Sequence, residues 1–114
     1  MPHFIIDCSE NVLTLQNPKE VMRRVHDTAD ATGLFAKGNI KVRMRPYEHY
    51  NVGNTENDFI HVFGNIMGGR TIEQKADLSK RITRTLNELF PDVPVISINI
   101  IDFENENYCN KGML

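Results

Sequence analysis

Met1-Pro2-His3-Phe4-Ile5-Ile6-Asp7-Cys8 places a proline directly after a methionine and runs straight into an apolar, β-favouring segment. His3 to Cys8 read as a strand that begins almost at the terminus, which ties Pro2 to regular structure and not to a frayed tail. If Met1 is removed, Pro2 becomes a free secondary amine, both a base and a nucleophile. An internal proline nitrogen is an amide with neither property.

Working outward, Ser9 to Gln16 carries no clear period, and Asn17-Pro18-Lys19-Glu20 then starts a helix. Asn17 is its N-cap, Pro18 its first residue and Glu20 an acid in its first turn. The helix runs to about Thr32, with Val21, Val25 and Ala29 on a buried stripe and Gly33 as the cap. A Lys37-Gly38-Asn39 turn leads into Ile40-Lys41-Val42-Arg43-Met44-Arg45, which alternates apolar and basic residues. That pattern is a half-buried strand, closed by Pro46, with three cations on one face.

Glu48 to Asp58 read as an exposed loop before a strand at Phe59 to Met67. Gly68-Gly69-Arg70 turns into a second helix, marked by Thr71 and Gln74 in a capping-box pattern, with Ile72, Leu78, Ile82, Leu86 and Leu89 as its apolar stripe. Pro91 and Pro94 bracket its exit. The last strand, Val95 to Phe103, points Ile96, Ile98 and Ile100 one way and Ser97 and Asn99 the other, and a polar, Asn-rich tail follows from Glu104. The expectation is one α+β domain over residues 1–114, a β-α-β-β-α-β subunit whose four-stranded sheet carries two helices on one face. Two helices cover only that face; the other is solvated or buried against further subunits.

Composition narrows the function. A chain of 114 residues, 40% hydrophobic, suits one domain with its own core. Its 13 Lys and Arg against 15 Asp and Glu leave no global positive field for nucleic acid, so a bound anion must meet local cations. Cys8 and Cys109 lie at opposite ends without metal-site spacing and read as free thiols of a reducing cytosol. The apolar start, broken by Asp7, is too short for a signal peptide or a membrane span, which points to a soluble cytoplasmic protein. Gly68-Gly69 lacks the dinucleotide spacing and no P-loop lysine follows it. With no metal or cofactor site evident, proton transfer is the chemistry open to the chain.

Each candidate has a plainer reading. Pro2 is either a terminal base or an incidental second residue; an α-amino group titrates at about 7.7–8.0, and burial or nearby cations lower it towards neutrality. Lys41, Arg43 and Arg45 form either an anion-binding face or a solvated strand edge. Arg43 is the central candidate, because a guanidinium fork matches a carboxylate. Arg70 opens a helix, where free N–H groups favour a small carboxylate, or it is the exposed arginine of a glycine turn. His61 reads as strand packing and His26 as helix surface. His3 adjoins Pro2, but neighbouring strand side chains point to opposite faces.

On these residues the chain resembles the tautomerase superfamily, most of all its 5-carboxymethyl-2-hydroxymuconate delta-isomerase branch. The similarity runs through Pro2-His3-Phe4-Ile5-Ile6 with Cys8-Ser9, Ala31-Thr32-Gly33-Leu34-Phe35, the basic strand to Arg43, Phe59 to His61, Gly69-Arg70 and the Asn-rich tail. It implies a homotrimer without metal or organic cofactor, acting on a small anionic substrate in pockets near subunit contacts. It further implies that the terminal proline moves a proton between carbons of an unsaturated 2-oxo acid, in aromatic-acid catabolism, while arginines hold carboxylates and stabilise the dienolate. The family's Arg-x-Arg falls on Lys41 and Arg43, with Arg45 as an extra cation or the sign of a two-residue shift. Two alternatives stand beside this: a phenylpyruvate-type enol-keto tautomerase, and a non-catalytic ferredoxin-like binding or assembly module. A retained Met1 would acylate Pro2 and abolish its basicity.

Overall fold

The computed structural model describes residues 1–114 and consists of two successive β-α-β units. The first comprises β1 (His3–Ser9), a short helix α1 (Val12–Leu15), α2 (Pro18–Ala31) and β2 (Lys41–Tyr47). The second comprises β3 (Phe59–Met67), α3 (Ile72–Leu89) and β4 (Val95–Phe103). The strands form one sheet in the order β2-β1-β3-β4. Within each unit the strands run parallel, as a helical crossover requires, and the units meet through antiparallel β1 and β3. The predicted α+β architecture is the one observed.

Alternation along the strands sorts the two faces. Phe4, Ile6 and Cys8 of β1 and Ile60, Val62 and Ile66 of β3 are fully buried beneath the helices, packed with Val21, Val25 and Ala29 of α2 and Leu78, Ile82 and Leu86 of α3. The helices also touch through a 2.7 Å Thr28–Thr85 hydroxyl hydrogen bond. His3, Ile5, Asp7, Lys41, Arg43, Arg45, His61 and Phe63 fall on the opposite, helix-free face.

Local signals behave as their chemistry dictates. The Asn17 side chain accepts from the Lys19 N–H, and Gly33 takes the left-handed conformation (φ 73°) just beyond α2. Thr71 and Gln74 close a reciprocal capping box at the start of α3. Three expectations need correction. Ile72 is 79% exposed: it stands six residues before Leu78, about 240° around the helix, and so belongs to a different face from the buried stripe. β2 continues through Pro46 to Tyr47, since an edge strand has no partner on one side for the missing N–H. Ser9 to Gln16 contains α1, which buries Val12.

Candidate active site

Strand polarity brings four chain segments to one end of the sheet. β1 and β2 start there, β3 and β4 finish there, and His3 pairs with Lys41 on one side and Asn65 on the other. A cleft of about 540 Å³ opens at this end, lined by Met1, His3, Asn39, Lys41 and Met67, and by Asn105, Tyr108, Asn110 and Met113 of the tail. Pro2 itself is buried between the cleft-lining Met1 and His3, and its carbonyl accepts a 3.1 Å hydrogen bond from the Lys41 N–H. A larger cleft, about 650 Å³, lies between α3 and β4 around Ser79, Thr83, Arg84 and Ile96, and contains neither the terminus nor the basic strand.

The terminal amine in this structure is that of Met1, one residue ahead of the nitrogen that Pro2 would expose. Its pKa is lowered from the ordinary α-amino value, first by burial and then by the Lys41 ammonium and the more distant Arg70 guanidinium. A charged ammonium is disfavoured at this position, so the neutral, basic form is promoted. The His3 imidazole is also held below its ordinary pKa, by burial and then by Arg43 and Lys41.

The four predicted cations do not act alike. Lys41 lines the cleft, with its Nζ donating to the Asn39 carbonyl at 2.8 Å. Arg43 lies one step along the same face, its Nη1 2.9 Å from His3 Nδ1. Arg45 lies further on, where its Nε donates to Asp7 Oδ1 at 2.7 Å and its guanidinium sits over Phe63. Tyr47 donates to the other oxygen of Asp7 at 3.2 Å. Arg70 is near the terminus but ties the scaffold together: Nη2 donates to the Leu34 carbonyl at 2.6 Å, Nη1 to Met67 at 3.4 Å, and the guanidinium lies 5.2 Å from the centre of the Phe35 ring. Phe35 in turn packs edge-on against Phe4.

Other groups offer little chemistry here. Cys8 is fully buried and its pKa is pushed up to about 11 by burial and by the Asp7 and Asp58 carboxylates, so it stays a thiol and not a thiolate nucleophile. No group of three or more His, Cys, Asp or Glu side chains is placed to hold a metal ion. His61 shares a 2.7 Å hydrogen bond with Ser97 and packs edge-on against Phe63, away from the cleft. Sequence reasoning missed the tail and set His3 aside. The available signal was strand direction: β4, parallel to β3, must release the tail beside the start of β1.

The β-α-β-β-α-β fold, with its amino terminus in a cleft beside fixed cations, defines a tautomerase-type isomerase. The chain belongs to the 5-carboxymethyl-2-hydroxymuconate isomerase family, whose model matches residues 2–108. It is 24% identical over 108 residues to the 5-carboxymethyl-2-hydroxymuconate Delta-isomerase of Escherichia coli, an alignment spanning 93% of this chain and 86% of that protein. Its fold matches a 5-carboxymethyl-2-hydroxymuconate isomerase from Deinococcus radiodurans R1 with a TM-score of 0.85 at 21% identity, over 96% of this chain and 88% of the other. It also matches a fused wild-type 4-OT described as a symmetric trimer, with a TM-score of 0.81 at 12% identity, over 98% and 94% of the respective chains. No helix is long and apolar enough to cross a membrane.

Proposed function

We propose that the chain, acting as one domain over residues 1–114, shifts a proton within an unsaturated 2-hydroxy or 2-oxo acid resembling 5-carboxymethyl-2-hydroxymuconate, and that Pro2, freed of Met1, is the general base. The observation that carries this reading is the terminus itself: an amine in a cleft, with burial and cations both favouring its neutral form. Pro2 removes a proton beside the conjugated carbonyl, becomes a secondary ammonium, and returns a proton at the distal carbon. Negative charge develops on the carbonyl oxygen between the two transfers. Lys41, which lines the cleft beside the terminus, serves that charge and a carboxylate, while Arg43, bonded to His3 behind the cleft wall, and Arg70 add positive potential. Arg45 is a substrate-binding candidate only if a ligand extends towards Asp7. No metal or organic cofactor takes part in this scheme.

The helix-free sheet face, with Ile5, Phe63 and paired polar groups, is the surface through which we place the chain in a homotrimer; the resemblance to a fused trimer supports that arrangement. A phenylpyruvate-type monocarboxylic enol is the second reading, favoured by the ion pair that occupies Arg45 and leaves fewer free cations. Comparing kcat/KM for a tricarboxylic dienol and a monocarboxylic enol separates the two. The base assignment is tested by selectively acylating the Pro2 nitrogen in protein whose mass establishes that Met1 is absent: loss of isomerisation with the fold intact supports it, and full activity overturns it.

A further inference from the structure

We propose that His3 contacts the substrate in this cleft as a neutral hydrogen-bond donor: Arg43 occupies its Nδ1, and its Nε2–H is offered to an oxygen of the bound acid. The inference rests on the cleft being the isomerase site.

The tautomer follows from hydrogen-bond inventory. A guanidinium only donates, so the 2.9 Å approach of Arg43 Nη1 to His3 Nδ1 makes Nδ1 the acceptor. A neutral imidazole carries one N–H, which must then be on Nε2. The strand register explains the pairing: His3 lies opposite Lys41, and Arg43 is the next residue of β2 on that face. His3 lines the cleft together with Met1 and Lys41, whereas Arg43 does not reach its wall. The imidazole therefore stands between Arg43 and the space a substrate would fill.

The surrounding charge keeps the ring neutral. Arg43 and Lys41 from β2 and the terminal amine all disfavour an imidazolium, burial acts in the same direction, and the residue opposite on β3 is the uncharged Asn65. Histidine is commonly a general base, yet this ring cannot take up a proton on Nδ1 without giving up Arg43. It supplies a fixed donor where negative charge develops and leaves proton transfer to the terminal amine.

Two readouts test the assignment. Imidazole ¹⁵N shifts of Met1-free protein at neutral pH, with the His3 signals assigned by their absence in His3→Gln, report the tautomer without any turnover. A proton on Nε2 and none on Nδ1 is expected; a proton on Nδ1, or an imidazolium, overturns the proposal. In kinetics, His3→Phe keeps a planar ring but removes the donor and lowers kcat/KM about tenfold, while His3→Gln, able both to accept from Arg43 and to donate, recovers most of the loss. Unchanged kcat/KM in His3→Phe, or no recovery in His3→Gln, overturns it. Full activity after acylation of the Pro2 nitrogen would remove the reading of the cleft, whereas the tautomer stands or falls by its own spectrum.

Discussion

Lys41 and Arg45 lie on the same strand, on the same face, about 13 Å apart, and meet opposite fates. Lys41 faces His3 across the β1–β2 ladder, beside the terminus, with no carboxylate in contact. Arg45 faces Asp7, whose side chain is only 14% exposed, and the two form an ion pair reinforced by Tyr47. The near end of the sheet has cations whose charge is unspent, and the far end has a cation already neutralised. A run of basic residues along a strand is therefore not a measure of the field at a site. The residue opposite each cation decides what its charge is available for.

The largest expected effect lies at the near end. Acylating the Pro2 nitrogen of Met1-free protein, which turns the amine into an amide, should lower kcat about 10²- to 10⁴-fold, the range a positioned general base contributes. Next comes the contrast along β2: Arg43→Ala should lower kcat/KM about 10- to 100-fold, as expected for losing a charge-assisted hydrogen bond, while Arg45→Ala should change it by no more than about twofold. A large loss from Arg45→Ala together with a small one from Arg43→Ala, measured by steady-state kinetics, would break the comparison between the two ends.

A smaller effect sharpens it. With Pro2 as the proposed base, its neutral amine is the active form, so kcat/KM is expected to fall as pH drops through the amine pKa. Lys41 holds the Met1 amine pKa down by opposing the ammonium form, and the same opposition is expected at a Pro2 amine one residue on. Lys41→Met should raise the Pro2 pKa and move the acid limb of the pH profile to higher pH, and Arg45→Met should leave the limb in place. A limb that stays put in Lys41→Met would detach Lys41 from the base.

Much of this was legible in the residues. Asn17-Pro18, the Thr71/Gln74 pair and the Lys41-Arg43-Arg45 alternation are local patterns, and each produced the element its chemistry predicts. Ile72 misled because apolar character was counted without its angle around the helix. What stayed hidden depends on partners distant in sequence: Asp7 opposite Arg45 lies 38 residues away, and Leu34, which holds Arg70, lies 36 away. His3 was set aside because alternation turns it from the face that Pro2 occupies. That is correct along a strand, yet the cleft is lined by Met1, His3 and Lys41 on the helix-free side, so the face that turns from Pro2 is the one that opens on it. The tail looked like a polar extension until the direction of β4 brought Tyr108 and Asn110 to the terminus.

The central claim is that the near end of the sheet holds a terminal amine poised as a base. Its most direct test is an NMR titration of ¹⁵N-labelled Pro2 in protein free of Met1, set against the pH profile of kcat/KM. The account predicts a Pro2 pKa below the ordinary α-amino value and coincident with the acid limb. An unshifted pKa, or an acid limb that does not follow Pro2, would contradict it.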